Sequence, residues 1–236
     1  MIQDMHSHTY YSLCGRDKPE IVIERAIADG IEVLGICDHN YGIAQVREKK
    51  WYQRAIDRYL DHMRLLQEKY KKDIHLLCGI EVCTLDETGL SLPEGVDISG
   101  FDYCLVENLD YVDHSVIHGD VFEFAKRAKC KTGIAHTDLF SFMENRGVNP
   151  EYYLAKMVEA GIFWEININY DSIHHYREHE YVSNFFNKPI QQEFVSQSGV
   201  EVSIGFDGHR IEDYLPERIK YYCNQVEELR LNMVNI

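Results

Sequence analysis

The sequence predicts an α/β fold, a TIM-like (β/α)7 barrel of roughly seven strands that forms a single domain over residues 1–236. Three observations favour this fold class. Short apolar runs alternate with segments of helical periodicity roughly seven times along the chain. These runs are nearly continuous in apolar residues, as in parallel strands that are covered on both faces. Nearly every run also ends in a polar side chain, as expected where the carboxyl ends of barrel strands form one rim.

The local pattern places each element. The predicted strands are, in chain order, the segment around His6, then EVLGICDHN (32–40), IHLLCGIEV (74–82), FDYCLVENLD (101–110), KTGIAHTD (131–138), IFWEININ (162–169) and EVSIGFDGH (201–209). Helices are predicted over 17–30, 44–72, 120–129, 150–160 and 181–198, and from Glu217 onward. Pro19 in the first turn and Gly30 after the last turn mark the two ends of the first helix.

Composition narrows the class of protein. A chain of 236 residues that is 45% hydrophobic can bury one large core, and it carries a net charge of −15, which repels nucleic acid. It contains seven cysteines but no Cys-x-x-Cys pair, which favours reduced thiols in a cytoplasm over a disulfide framework. The N-terminus lacks the basic and apolar regions of a signal peptide, and no apolar run is long enough to span a membrane. We therefore expect a cytoplasmic protein that binds neither membranes nor nucleic acid.

His6 and His8 flank a single serine near the N-terminus. On a strand, residues two apart point to the same side, so the two imidazoles could hold one metal ion between them. An isolated pair of this kind is as well explained by two solvated histidines on a surface strand. The remaining strand ends decide between the two interpretations.

The ends of the predicted strands carry a set of polar side chains. In chain order these are His6 and His8, Asp38 and His39, Glu81, Glu107 and Asn108, His136 and Asp138, Glu165 and Asn167, and Asp207 and His209. Any one of them could be an ordinary turn residue or helix cap, and this is the preferred reading of Asp138 and Asn167 taken alone. Because parallel strand ends share one rim, the whole set is expected to converge on one cleft.

The other histidines are weaker candidates. His62 lies in a charged helical stretch and is expected on a solvated face, and His75 opens a strand at which nothing else converges. The loop after the sixth strand contains His174, His175 and His179. These three could border a substrate or could simply belong to a polar loop.

The ordered set DMHSHT, GICDHN, CGIEV, GIAHTD and SIGFDGH resembles the PHP superfamily of metal-dependent phosphoesterases, which includes histidinol-phosphate phosphatases and polymerase-associated domains. The resemblance spans essentially the whole chain. It implies a distorted seven-stranded barrel with two or three divalent ions, commonly Zn, Mn or Fe. Carried over by position, one ion would be held by His6, His8, Glu81 and Asp207. Glu81 would bridge to a second ion on His136, and His39 and His209 would belong to a third.

Two positions depart from the family pattern. Where many relatives have Asp or His after His-x-His, this chain has Leu13 and Cys14, with Asp17 as the nearest carboxylate. Where relatives have a histidine at the end of the fourth strand, this chain has Leu109. The second ion would then recruit Glu107, which we favour as a hard ligand, or else one of Asn108, His114 and His118. A salt bridge or a helix cap explains Glu107 equally well.

The resemblance implies a metal-dependent phosphomonoesterase that hydrolyses a small phosphorylated metabolite through a metal-activated hydroxide. The catalytic set would be His6, His8, Glu81, Asp207 and His209. Arg16 and Arg210 lie near the rim and could receive the phosphate, although a surface ion pair would explain either one. Asp38 would orient a ligand rather than bind metal. The matched positions contain no cysteine, which argues against a structural zinc site.

Two other functions stay open at this point. One is an amidohydrolase-like enzyme that cleaves C–N bonds, because those barrels also begin with His-x-His. They generally have an eighth strand and end in a lone Asp, whereas this chain has the pair Asp207 and His209. The other is a non-catalytic, metal-binding regulatory module, which the two unmatched ligand positions make credible. The sequence does not name a substrate or an oligomeric state.

Overall fold

A computed structural model describes residues 1–86 and 88–236 of the chain. Its centre is one parallel sheet with strands in the order of the sequence. The strands are β1 (Gln3–Ser7), β2 (Val33–His39), β3 (His75–Val82), β4 (Tyr103–Val106), β5 (Lys131–Ile134), β6 (Ile162–Asn167), β7 (Glu201–Gly205) and β8 (Asn232–Met233). The helices are α1 (Pro19–Ala28), α2 (Asn40–Ile43), α3 (Lys49–Tyr70), α4 (Val121–Ala128), α5 (Leu139–Asn145), α6 (Pro150–Ala160), α7 (Glu180–Asn187), α8 (Pro189–Ser198) and α9 (Pro216–Glu228).

The sheet curves until β7 meets β1 beyond their carboxyl ends. Ser7 and Gly208 form a parallel bridge, and the backbone N–H of His8 donates to the carbonyl of Gly208 at 2.8 Å. The N–H of Asp207 donates to the carbonyl of His6 at 2.6 Å. The first and last long strands are therefore joined at the point where each ends in candidate site residues.

The predicted parallel α/β architecture is confirmed, but the strand number differs from seven. The eighth strand has two residues, and it pairs with the beginning of β7 through Glu201–Asn232 and Val202–Met233. A two-residue strand is too short to produce an alternating pattern in the sequence. It lies away from the carboxyl ends of the sheet and adds no side chain to the rim.

Local chemistry explains several helix boundaries. The carboxylate of Asp120 accepts from Glu123 N at the start of α4, and that of Asp138 accepts from Ser141 N at the start of α5. These are N-caps, so the helix-cap reading of Asp138 is correct. The helix expected over 181–198 is two helices, because Pro189 opens a new one. The short helices α2 and α5 were not predicted.

Large side chains fill the inside of the barrel below the rim. Tyr103 is completely buried, and its hydroxyl donates to the carbonyl of Met5 at 2.5 Å. A Cβ atom at Gly35 or Gly79 would lie 2.1 Å or 2.4 Å from the Tyr103 ring or hydroxyl, so only glycine leaves room for this ring. Because these large side chains fill the interior of the barrel, the polar side chains lie at the carboxyl ends of the strands.

Two further observations concern the described residues. None of the helices in residues 1–86 and 88–236 combines the length and the apolar character needed to cross a membrane. No disulfide joins the cysteines, all of which lie within these ranges.

Candidate metal centre

Four side chains that lie in or directly after β1, β3 and β7 face a common point. His6 Nε2 lies 3.1 Å from His8 Nε2, and these atoms are 3.3 Å and 3.4 Å from Glu81 Oε2. Asp207 Oδ1 lies 3.0 Å from His8 Nε2 and 3.7 Å from His6 Nε2. Neighbouring ligands of a tetrahedral ion with bonds of about 2.0 Å stand about 3.3 Å apart. The spacing of this group, hereafter the first group, therefore fits one divalent ion.

The hydrogen bonds of the two imidazoles test whether a cation fits. His6 Nδ1 lies 2.6 Å from the carboxylate of Glu165, so this nitrogen carries the proton. The hydroxyl of Ser12 donates to Asp38, and it can therefore only accept from His8 Nδ1 at 3.0 Å. His8 Nε2 is then left with a lone pair that faces the carboxylate oxygen Asp207 Oδ1 at 3.0 Å and His6 Nε2 at 3.1 Å. A cation at this point relieves the repulsion between the lone pair and the carboxylate.

The electrostatics of the first group favour positive charge at the same point. Burial disfavours the protonated form of His6, but Glu165, Asp207 and Glu81 together raise its pKa well above the usual value. For His8, burial and the neighbouring His39 lower the pKa to about 3, so this ring is neutral. A neutral imidazole is the form that binds metal.

Glu81 joins the first group to its neighbours. Its Oε2 atom faces His6 and His8, whereas its Oε1 atom lies 2.9 Å from His136 Nε2. Burial alone would raise the pKa of Glu81, but His39 and His6 lower it well below the usual value. Oε2 is also 2.8 Å from His39 Nδ1, yet neither atom has a hydrogen bond in the described structure. Two buried polar atoms that face each other at 2.8 Å without a hydrogen bond fit a site that a cation would complete.

The second group contains Glu81 and His136. The backbone of His136 has a φ of 22°, a sparsely populated conformation that its N–H stabilises by donating to Glu165 Oε2 at 2.8 Å. Burial disfavours a charged His136, but contact with Glu81 raises its pKa to about 9. Its ring stacks on His179 with centroids 5.9 Å apart. Burial lowers the pKa of His179 to about 4.

Four residues were considered as the missing ligand of the second group: Glu107, Asn108, His114 and His118. Among the described residues, only Glu107 of these four lies in a ligand cluster, which it forms with Glu81 and His39. It is buried, and burial raises its pKa. Asn108 instead accepts from the thiol of Cys83. His114 and His118 are exposed on the loop after β4, and Leu109 is buried in the apolar core.

A third group surrounds the ring of His8. His39 and His209 stack on its two faces, with centroids 4.6 Å and 4.5 Å away. Cys14 belongs to the same cluster, in which one ligand atom of each residue lies within 4.8 Å of the others. Burial opposes ionisation of Cys14, but hydrogen bonds with His209 and His39 lower its pKa to about 7. Cys14 entered the sequence prediction only as a departure from the family pattern, with Asp17 as the nearest carboxylate, and the carboxylate of Asp17 instead accepts from Ile211 N.

Buried carboxylates orient the histidines from behind. Asp38 accepts hydrogen bonds from Thr9, Ser12 and Tyr59, and Ser12 in turn contacts His8. Asp171 contacts His209 Nδ1 at 3.2 Å and His174 Nδ1 at 2.7 Å. The orienting position expected for Asp38 agrees with this geometry, whereas Asp171 was not predicted because it lies in a loop. Partners of this type set the tautomer of metal-binding histidines.

The remaining histidines separate into two sets. His174 Nε2 lies 3.5 Å from Asp207 Oδ2, and His179 stacks on His136, so these two border the centre. His175 and His75 are exposed. His62 is not simply solvated, because its Nδ1 bonds the hydroxyl of Tyr11 at 2.9 Å.

The two arginines differ in their environment. Arg16 forms an exposed ion pair with Glu212 at 3.0 Å. A surface ion pair was the alternative role considered for Arg16 in the sequence analysis. Arg210 is half-buried, and its Nε atom has no hydrogen-bond partner in the described structure. Arg210 is therefore the better placed of the two to accept an anion.

The strand ends of this parallel α/β barrel thus bring histidines and carboxylates into three adjoining groups of the kind that can hold metal ions. The PHP domain family model matches residues 4–206. The chain therefore belongs to the PHP domain family. Comparison with curated protein sequences gives no significant match.

Two solved structures resemble this fold. One is a histidinol phosphate phosphatase from Lactococcus lactis subsp. lactis Il1403, complexed with zinc, L-histidinol and phosphate. It has a TM-score of 0.57 and 14% identity, and the match covers 98% of this chain and 95% of that one. The other is a putative histidinol phosphatase from Listeria monocytogenes, with a TM-score of 0.41, 15% identity, and coverage of 98% and 93%.

Proposed function

We propose that this protein is a metal-dependent phosphomonoesterase that acts on a small phosphorylated metabolite. The observation that carries the proposal is the position of Glu81, whose two oxygens face different histidine groups, His6 with His8 on one side and His136 on the other. A carboxylate that bridges two ions holds them close together, and two adjacent ions can clamp a phosphoryl group during in-line displacement. Membership of the PHP family supports the same chemistry.

The residues fit two or three divalent ions. The first ion would be held by His6, His8, Glu81 and Asp207. The second would be held by Glu81 and His136 together with Glu107, which clusters with Glu81 and His39, and the third by His39 and His209. Nitrogen and carboxylate ligands together suit Zn, Mn or Fe. When bound, the ions would supply a hydroxide near neutral pH and neutralise charge on the phosphoryl oxygens.

The chain's own side chains position these groups and exclude water. His6, Glu81 and Glu165 are almost completely buried, so the inner side of the centre is closed. The side chains of His136 and His174 are 21% and 26% exposed, which opens the centre toward the loop after β6. The substrate would enter from this side. His174, held by Asp171, would contact the leaving group, and Arg210 would pair with the phosphate.

The two alternatives receive no specific support. An eighth strand is present, but it lies at the amino end of β7 and contributes nothing to the centre, so it does not favour C–N bond hydrolysis. A regulatory module without activity would not need adjoining ligand groups that share one carboxylate. The two unmatched positions also have candidate substitutes, Cys14 and Glu107, within the described clusters.

The test is phosphate release by the purified protein, loaded with Zn or Mn, from a panel of phosphate monoesters. The panel includes L-histidinol phosphate, because the Lactococcus lactis protein is a histidinol phosphate phosphatase. A parallel panel of amides tests C–N bond cleavage. We expect metal-dependent release of phosphate and no release of amine. Absence of phosphate release from every ester by metal-loaded protein would overturn the proposal.

A further inference from the structure

Cys14 lies on the open side of the third group, together with His8, His39 and His209. One ligand atom from each of these four residues lies within 4.8 Å of the others. Ligands of a tetrahedral ion with bonds of about 2.0 to 2.3 Å stand about 3.3 to 3.8 Å apart, so side-chain rotations that move these atoms by about an ångström close the cluster on one ion.

The loop that carries Cys14 is built to hold it there. The N–H of Ser12 donates to the carbonyl of Thr9 at 2.9 Å, and the N–H of Arg16 donates to the carbonyl of His209 at 3.1 Å. A Cβ atom at position 15 would lie 2.0 Å from the carbonyl oxygen of Thr9, so only Gly15 permits this close turn. The loop is thus fixed on both sides of the thiol.

The neighbouring histidines are already oriented as ligands. Asp171 lies 3.2 Å from His209 Nδ1, which leaves Nε2 of that ring free of a proton. His39 Nδ1 is buried, lies 2.8 Å from Glu81 Oε2 and forms no hydrogen bond in the described structure, and the His39 ring belongs to the same ligand cluster as Cys14 and His209. His8 Nε2 faces His6 and Asp207 in the first group. Cys14, His39 and His209 are therefore the three ligands left for a separate ion.

We infer that the sulfur of Cys14 is a thiolate ligand of the third ion, and that with His39 and His209 it forms a sulfur-and-nitrogen subsite. This inference rests on the proposed metal centre. On binding, the S–H bond breaks, the sulfur donates its electron pair to the ion, and the proton passes to solvent. A soft thiolate favours Zn or Fe at this position over Mn or Mg. Three protein ligands leave at least one position open to another molecule.

Cobalt substitution tests the sulfur bond without measuring activity. The chelated protein is titrated with Co²⁺, and we expect a near-ultraviolet thiolate-to-cobalt charge-transfer band. Cys14→Ser should abolish the band. Cys83→Ala and Cys130→Ala are matched controls, because Cys83 lies beside Asn108 near the second group and Cys130 is half-buried beside β5, and both should retain it. No band in the unaltered protein, or a band that persists in Cys14→Ser, would overturn the inference.

A rescue variant separates a ligand role from a structural one. Cys14→Asp should bind as many Zn²⁺ ions as the unaltered protein, as measured by metal analysis, but should show no charge-transfer band with Co²⁺. Cys14→Ser should bind one ion fewer. Equal zinc content in Cys14→Ser and the unaltered protein would contradict a third ion held by this sulfur.

Alkylation provides an independent readout. We expect Zn²⁺ to slow modification of Cys14 by iodoacetamide on the order of 10-fold, because a coordinated sulfur is a poorer nucleophile. Peptide mapping reports Cys14 and Cys130 in the same sample, and Cys130 should be unaffected. Equal labelling of Cys14 with and without zinc would overturn the inference. None of these measurements uses a phosphate ester. The proposed sulfur ligand can therefore be disproved while the proposed phosphatase activity is confirmed, and the activity can be disproved while the sulfur ligand is confirmed.

Discussion

His6 and Glu165 form a completely buried pair in which His6 Nδ1 lies 2.6 Å from Glu165 Oε1. The other oxygen of the same carboxylate accepts from the backbone N–H of His136 at 2.8 Å. Glu165 therefore orients a ligand of the first group and fixes the backbone of a ligand in the second. Carboxylates that support histidine ligands in this way increase their basicity and fix their tautomer.

Glu165→Gln is expected to lower the affinity for the first ion by about 10- to 100-fold. The amide has the shape of the carboxylate but lacks the charge that strengthens His6 as a ligand. Competition for Zn²⁺ with a chromophoric chelator measures the affinity. Glu180→Gln, on the exposed first turn of α7, is the matched control and should bind normally. An unchanged zinc affinity in Glu165→Gln would show that this pair is only a packing contact.

His8→Ala and Asp207→Ala are each expected to reduce phosphate ester hydrolysis by at least about 100-fold, because stabilisation of charge in the transition state depends on the ions they hold. Steady-state phosphate release measures the effect, and circular dichroism checks that the fold is intact. His75→Ala is the control, since His75 is exposed at the amino end of β3. Normal turnover in either site variant would exclude the first group from catalysis.

The strand-end histidines and carboxylates could be predicted because a parallel barrel brings strand ends to one rim. His6, Glu81 and Asp207 illustrate this, since they are distant in sequence and meet within a few ångströms. Their contacts depend on strand order alone, which the alternating pattern already indicated. Their roles as ligands remain predictions.

Residues in loops could not be predicted in the same way. Cys14 reaches the third group through a turn that depends on the close approach of Gly15 to Thr9, and no periodic pattern signals such a turn. Asp171 follows β6 within a loop, and only its contact with His209 reveals its position. The His-rich stretch after β6 was a usable signal for His174 and His179, but it could not separate them from the exposed His175.

Removal of the ions with a chelator is expected to lower the thermal midpoint by about 5 to 11 °C relative to protein with zinc at 100 times its dissociation constant. Binding at that excess adds about 2.7 kcal/mol to the folded state. Chelation also restores the unfavourable contact between His8 Nε2 and the carboxylate oxygen Asp207 Oδ1, which lie 3.0 Å apart. Differential scanning calorimetry with and without added Zn²⁺ measures the shift. Equal midpoints would show that no described cluster binds zinc in the folded state.

The three ions are not expected to bind with equal affinity. The first has four candidate ligands on or directly after strands, where the sheet positions them. The second and third must recruit Glu107 and Cys14, which follow a strand end and a turn respectively. Metal analysis of protein purified without added metal should give one well-filled position and at least one partly filled position. Three fully occupied metal positions under those conditions would contradict the expectation that the first ion binds more tightly than the other two.

Glu107→Ala should weaken the second ion and lower activity more at limiting metal than at excess metal. Glu107 is buried beside Glu81, and burial together with that like charge raises its pKa, so the carboxylate is poorly stabilised unless a cation lies nearby. Activity measured across a Mn²⁺ or Zn²⁺ titration gives the metal dependence. Asn108→Ala is the matched control, because its side chain contacts the thiol of Cys83 instead. An unchanged metal dependence in Glu107→Ala would mean that the second ion recruits a different ligand.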